Sequence, residues 1–320
     1  MKKKLALLLS VLLVLSLAIA GCSSTAADPE DDQIRIGASI LTQSHPFYVS
    51  IKTALEEEAA KQNVAIDVSV ADQDLNRQIS AIEDFINKGV DAIIITPVDS
   101  DGVKGAILKA KAANIPVVTV DIKANDVEVD SHIATDNYSG GMIAAEAMAQ
   151  YLNGQGDIAL ITYPEVQSVR DRIDGFKKIA ATHPGLTIVT ELPGRTRQEA
   201  KSASEDMLTG QANLKGIFGF GDDMAIAANA AITERNSNAI VVGFDGLEEA
   251  RNSVDQDNAF KAVVVQYPDR MGSEGVINAI KLAKGEAVEK EIPVTPGLYI
   301  HGQGFVDVKV EDGKVIVNVQ

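Results

Sequence analysis

Short runs of β-branched and aliphatic residues recur along the chain at 34–39, 65–71, 92–96, 116–121 and 132–135. A second series follows at 158–163, 187–192, 216–220, 240–245 and 261–266. Most of these runs are apolar at nearly every position, as strands buried on both faces must be. Between them, apolar residues fall at three- and four-residue spacing, as at Phe47, Ile51, Ala54 and Leu55, or at Ile79, Ile82, Phe85 and Ile86. That is the period of a helix with one buried face. The alternation predicts parallel α/β units joined by short right-handed crossovers. Two series of strands predict two doubly wound, Rossmann-like lobes, which fit the chain length better than an eight-fold barrel. Residues 138–152 are alanine-rich and carry Gly140-Gly141 near their start, predicting a helix packed closely at that end. The tail changes period: 305–310 and 314–319 alternate apolar and polar residues around Glu311-Asp312-Gly313-Lys314, predicting a C-terminal β-hairpin.

The N-terminus follows another pattern. Lys2, Lys3 and Lys4 precede an apolar run over 5–20, and Ile19-Ala20-Gly21-Cys22 gives a small-residue exit. The combination predicts a processed secretory signal over 1–21 rather than a permanent span. Cys22 is the one cysteine of the 320-residue chain, so no intrachain disulfide can form. Its place after the small residues predicts lipidation, with 22–32 as a polar tether holding the protein extracytoplasmically, lipid-anchored to the cell membrane.

Charge narrows the partners. Loss of 1–21 removes three of the 29 basic residues and none of the 45 acidic ones, leaving a formal charge of −19. Nucleic-acid binding needs clustered positive charge and is excluded on that ground. Docking on anionic lipid through a basic patch is disfavoured in the same way, so the lipid alone must hold the chain to a membrane. The four histidines are dispersed and form no helical pair, so no metal site is expected. Gly219-Phe220-Gly221-Asp222 lacks the third glycine of a dinucleotide fingerprint, and no phosphate-binding loop or nucleophile elbow occurs. No cofactor is expected, and an enzyme is disfavoured.

In open α/β sheets, ligands bind outside the carboxyl ends of the strands. Those ends carry His45, Phe47 and Tyr48, then Asp121, Arg170, the loop through Thr196, Gly221-Asp222, Phe244-Asp245 and Gln266. Aromatics with a few carboxylates, an arginine and an amide suit a polyhydroxylated ligand, rings covering C–H faces while charged groups bond hydroxyls. Each residue also has a plainer role open to it. Phe47 can be helix core, Phe244 can pack under the sheet end, Arg170 can pair with Asp174, and Asp245 can cap a helix.

Several stretches resemble the ribose-type sugar ABC transporter substrate-binding lipoproteins, of the periplasmic-binding-protein-like fold of type I. They are His45-Pro46-Phe47-Tyr48-Val49-Ser50, Thr96-Pro97-Val98-Asp99-Ser100-Asp101 and Ala113-Asn114-Ile115-Pro116-Val117-Val118, then Ser131-His132-Ile133-Ala134-Thr135-Asp136-Asn137. Arg170-Asp171-Arg172 with Gly175-Phe176, Val242-Gly243-Phe244-Asp245-Gly246 and Gln266-Tyr267-Pro268-Asp269 complete the set. The resemblance implies two lobes joined by three crossings, with 33–134 plus 267–294 in one and 135–266 plus 295–320 in the other. It implies a monomer that closes on one sugar without chemistry and then docks on an ABC permease. Phe47 and Tyr48 match the aromatic wall, His45 falls where an asparagine is common, and Asp121, Arg170, Asp245 and Gln266 match hydroxyl-bonding positions.

The sequence also departs from that pattern. Ribose binders carry arginine directly after the aspartate matched by Asp121, where this chain has Ile122; Gly221 replaces an asparagine, and a third aromatic falls near Thr196. Losing a bidentate donor, an amide and a ring changes which hydroxyls are recognised. Another pentose, a ketose, a sugar alcohol or a related polyol therefore fits as well as ribose, with Asp222, Phe220 or Tyr163 as replacement contacts. A sensor of the same fold, feeding a membrane kinase or chemoreceptor, is the main rival reading. An extracellular sugar-modifying enzyme and a repressor's effector domain are further rivals, the latter opposed by the signal segment.

Overall fold

The first apolar run becomes β1 (Arg35–Ile40), and the predicted rhythm follows it in a computed structural model that describes residues 33–256 and 258–318. The predicted signal segment, Cys22 and the tether lie outside the described residues. In chain order β1 is followed by α1 (Pro46–Lys61), β2 (Ala65–Val70), α2 (Leu75–Lys88), β3 (Ala92–Ile95), α3 (Lys104–Ala112), β4 (Val117–Val120) and β5 (Ser131–Thr135). Next come α4 (Asn137–Tyr151), β6 (Gln155–Thr162), α5 (Gln167–Ala180), β7 (Gly185–Pro193), α6 (Arg197–Gly210), β8 (Leu214–Gly219), α7 (Asp222–Glu234) and β9 (Ile240–Asp245). The chain ends with α8 (Glu248–Asp255), β10 (Phe260–Val265), α9 (Pro268–Ala283), β11 (Glu291–Val294), β12 (Gly297–Ile300), β13 (Gly304–Glu311) and β14 (Lys314–Asn318).

The strands form two sheets, giving the two-lobed α/β fold. One has the order β11-β5-β4-β3-β1-β2 with every pairing parallel; the other runs β14-β13-β12-β10-β9-β8-β6-β7. In the second sheet β6 to β10 are parallel, while β12, β13 and β14 add antiparallel at the β10 edge, β13 and β14 forming the predicted hairpin. The chain passes between sheets three times: after β5, after β10 and between β11 and β12. Two strands, β11 and β12, were not expected from the pattern. Each has four residues, Pro293 lies within β11 and Pro296 just before β12, and proline demotes such a run in any reading of strand propensity.

The continuous apolar runs are explained by covering on both faces. In β3 and β4, Ile94, Val118 and Val120 meet Phe47, Ile51 and Leu55 of α1 and Met271 of α9. Their neighbours Ile93, Ile95 and Val117 meet Ile82 and Phe85 of α2 and Ile107 of α3. Successive side chains point to opposite faces, so only strands with helices on both sides can be apolar throughout. The second sheet is built in the same way around Phe218, Val242, Phe244 and Val264.

Helices α4 and α5 approach one another at two glycines. A Cβ at Gly141 would collide with the carbonyl of Arg172, and one at Gly175 with the carbonyl of Tyr138. Only hydrogen at these positions lets the two backbones touch. The predicted close packing near Gly140-Gly141 is thus present, and it fixes where α5 presents its side chains.

Candidate functional site

Three hydrogen-bonding carboxylates stand at or just beyond the carboxyl ends of parallel strands: Asp121 after β4, Asp245 at the end of β9 and Asp222 opening α7. The backbone at two of them is unusual. Asp121 has φ +66° and lies between Val120 and Ile122, whose N–H bonds the Val120 carbonyl at 2.8 Å. This is a γ-turn of the strained, positive-φ kind. Asp245 has φ +96°. Such strain in a non-glycine residue costs on the order of 1–3 kcal/mol and persists where surrounding structure enforces it, commonly at functional sites.

On the side of the first sheet, Tyr48 donates its phenol hydrogen to Asp121 Oδ2 at 2.9 Å. Tyr48 sits in the first turn of α1, whose start is set by Pro46 at the first helical position and by His45, whose Nδ1 accepts the Phe47 N–H at 3.3 Å. The rings of Phe47 and Tyr48 meet edge-on at 5.3 Å, and His45 lies edge-on to Tyr48 at 6.1 Å. Phe47 itself is buried in the core beside Ile51, so Tyr48 and His45 form the accessible part of this wall. Burial pushes the Asp121 carboxyl up to about 6, against the opposing pull of the Tyr48 hydrogen bond and the Arg172 charge, with the negative Asp245 adding to the rise. Burial also raises the Tyr48 phenol well above its ordinary value, reinforced by Asp121, so it remains a donor throughout the physiological range.

The other side is organised by Arg172. Its Nη1 donates to the Phe220 carbonyl at 2.7 Å and to Asp245 Oδ1 at 3.2 Å, and its Nε donates to Asn137 Oδ1 at 2.8 Å. The guanidinium lies over the Phe244 ring with its central carbon 3.9 Å from the centroid, close enough for cation–π attraction. Gln266 Nε2 donates to the same Asp245 Oδ1 at 2.6 Å, and Gln266 Oε1 accepts the Thr135 hydroxyl at 2.6 Å. Asn137 Nδ2 returns to the Thr135 carbonyl at 3.0 Å. Thr135, Gln266, Asp245, Arg172 and Asn137 therefore close a ring of hydrogen bonds. Two of its members, Thr135 and Gln266, stand at crossings between the sheets.

Asp222 serves the loop after β9. Its Oδ1 accepts the Gly246 N–H at 3.1 Å and its Oδ2 the Leu247 N–H at 2.8 Å, while its own N–H points to Asp245 Oδ2 at 3.4 Å. Burial and the Asp245 charge push its carboxyl well above the usual range. Leu247, held by this carboxylate, packs against the core of the first sheet.

The structure thus brings His45, Tyr48, Asp121, Asp245 and Gln266 into one constellation and places the other expected residues differently. Arg170 is exposed on α5 and bonds the Pro164 carbonyl and Gln167; its partner is not Asp174, and it does not join the cluster. Thr196 is exposed and caps α6, accepting the Glu199 N–H at 3.2 Å. Phe244 is fully buried with a ring face covered by Arg172, so it supports the site without lining it. Asp222 has both oxygens committed to backbone amides. Gly221 precedes α7 at φ −153°, and a Cβ there would stand 3.1 Å from Asp245 Oδ2, so the missing side chain leaves that oxygen uncovered.

Arg172, Asn137 and Thr135 were missed. For Arg172 a signal existed in the sequence: it falls on the buried stripe of α5 with Val169, Ile173, Phe176 and Ile179. A lone arginine within an apolar stripe must find buried partners. Arg170, two positions away, faces solvent because two residues turn a helix by roughly 200°. Among the described residues there is no cluster of three or more His, Cys, Asp or Glu side chains placed to hold a metal.

Residues 36–287 match the periplasmic binding protein domain family. The chain is 33% identical to the ribose import binding protein of Bacillus subtilis, over 91% of this chain and 97% of that one. It is 27% identical to a xylitol-binding protein of Mycolicibacterium smegmatis, over 93% and 84%. A solute-binding protein of an ABC transporter from Actinobacillus succinogenes, solved with bound D-allose, superposes with TM-score 0.78 at 26% identity, covering 83% of this chain and 97% of that one. The two-lobed α/β fold agrees with those matches, and the chain belongs to the periplasmic binding protein family, in its ribose-type branch.

Proposed function

We propose that this protein captures a monosaccharide or related polyol between its two lobes and delivers it to an ABC permease. The observation that carries the reading is the facing pair of carboxylates: Asp121 held by Tyr48 on one side, Asp245 held by Arg172 and Gln266 on the other. Each keeps an oxygen without a strong protein donor. Asp121 Oδ1 has no hydrogen-bond partner among the described residues, and Asp245 Oδ2 has only the 3.4 Å contact from Asp222 N–H. Hydroxyl groups are the donors such oxygens take. A ligand bridging both lobes favours the closed form by the contacts it makes only there. The lobes divide at 33–134 plus 267–294 and 135–266 plus 295–320, as the three crossings suggest.

The family supports a location outside the cytoplasm. Lipid attachment at Cys22 supplies the anchor, and the protein acts as a monomer. Replacing Cys22 by Ser moves the protein from the membrane to the soluble fraction on this reading, and continued membrane association would refute the anchor. Relatives bind ribose, D-apiose, xylitol and, in solved structures, D-allose or myo-inositol. The test is a thermal-shift screen of residues 23–320 against pentoses, hexoses, ketoses, polyols and inositols. A ligand at a hundred- to thousand-fold excess over its Kd adds roughly 3–4 kcal/mol of stability. One clear shift establishes the class of ligand; no shift across the panel refutes sugar capture.

A further inference from the structure

We infer that Tyr48 is the positioning residue of Asp121, its phenol fixing one carboxylate oxygen so that the other alone is offered to a ligand hydroxyl. The inference rests on the proposed sugar-binding role and adds to it a determinant of orientation and a dependence on pH. Four observations carry it. Asp121 sits at the centre of a strained γ-turn, a conformation that persists where the surrounding structure enforces it. The next residue is Ile122, which brings no cation to the carboxylate. Tyr48 supplies the side-chain hydrogen bond, at 2.9 Å to Oδ2. Asp121 Oδ1 has no partner among the described residues and is left for a ligand.

The ionisable groups that bear on Asp121 are Tyr48 from α1, Arg172 from α5 and Asp245 at the end of β9. Tyr48 and Arg172 favour the carboxylate; burial and Asp245 favour the acid. With Asp121 held near a midpoint of about 6, its carboxyl is part protonated in mildly acidic medium. A ligand hydroxyl donates more strongly to the carboxylate than to the neutral acid, so binding favours loss of the Asp121 proton to solvent. Affinity therefore rises with pH through this range and levels above it.

The experiment compares wild type with Tyr48→Phe, which keeps the ring and removes the donor. The Asp121 carboxyl carbon is titrated by NMR in the unliganded proteins. Loss of one hydrogen bond to the ionised form raises the midpoint by roughly one pH unit. Calorimetry then measures D-ribose, xylitol, D-allose and myo-inositol between pH 5 and 8. For whichever binds, Tyr48→Phe weakens affinity by up to about tenfold at pH 5, with near parity at pH 8, the limit set by the ionised fractions that a one-unit shift gives. Asp121→Asn removes the pH dependence. An unchanged Asp121 midpoint in Tyr48→Phe overturns the positioning role, and affinity that is flat in pH or rises towards acid overturns the proton coupling. If wild type binds none of the four probes, the choice of ligand class fails while the NMR titration still decides the role of Tyr48.

Discussion

Replacing Arg172 by methionine, beside the control Arg170→Met on the same helix, separates the two arginines of α5. Methionine keeps most of the aliphatic volume over Phe244 but removes every donor. Three acceptors then each lose a donor: Asn137 Oδ1, the Phe220 carbonyl and Asp245 Oδ1. Breaking a buried ion pair by removing one member costs on the order of 3–5 kcal/mol, most of it from the charge left behind. The Arg172 and Asp245 side chains are 8% and 15% exposed, and Asp245 keeps the Gln266 bond. We therefore expect the lower end, about 3 kcal/mol. At about 2 °C per kcal/mol for a chain of this size, the melting temperature falls by roughly 6 °C. Arg170 is exposed and bonds only its own loop and helix, so Arg170→Met stays within about 0.5 kcal/mol of wild type. Calorimetric melting at pH 7 gives both values, and a sugar titration gives the accompanying affinities, lost in Arg172→Met and retained in Arg170→Met. Equal melting temperatures for the two variants, or loss of binding in Arg170→Met alone, would refute the placement.

Gly175→Ala forces a methyl group against the Tyr138 carbonyl; overpacking of this kind costs about 1–3 kcal/mol, read as a lower urea midpoint, and an unchanged midpoint would mean that the helices do not touch there. Gln266→Leu removes the bond to Asp245 and strands the Thr135 hydroxyl, so sugar affinity falls roughly ten- to a hundredfold by calorimetry, as expected for one or two charged hydrogen bonds; unchanged affinity would remove Gln266 from the site. Burial pushes His132 down to about 4. The unfolded chain takes up its proton near 6.5, so stability is full above that value and falls as pH drops towards 4, by roughly 3 kcal/mol. Asp121 has the opposite sign: its folded midpoint of about 6 exceeds the unfolded one near 3.9, so its contribution is full below about 4 and is lost as pH rises through 6. Melting curves from pH 4 to 8 should show His132→Gln losing the acid-side fall and Asp121→Asn gaining stability over wild type above pH 6; parallel curves for all three proteins would contradict both shifts.

Much of the fold could be read from local pattern. Apolar runs predicted the strands of both parallel stretches, and β9 has the expected bounds, Ile240–Asp245. Helices, hairpin and the close packing at Gly140-Gly141 followed from period and composition, because burial of a face leaves its mark every two or every 3.6 residues. The short strands β11 and β12 escaped because four residues with proline nearby carry too little period, and their pairing with β5 and β10 is a long-range event. At the candidate site, the strand-end rule named Tyr48, Asp121, Asp245 and Gln266 but not Arg172, Asn137 or Thr135.

The sequence alone determined the chemistry at the strand ends: which carboxylates, aromatics and amides the parallel topology would gather at one edge. Only the tertiary structure decided how they are used. Contact of α4 with α5 at Gly141 and Gly175 brings Arg172, rather than Arg170, over Phe244 and onto Asp245. The γ-turn at Asp121 aims its carboxylate at Tyr48, and Asp222 is spent on the amides of Gly246 and Leu247. The physical reason is the range of the forces. Periodicity records the burial that each residue undergoes along its own element, whereas a buried charge chooses its partner through space, across distances in the chain that no local pattern encodes.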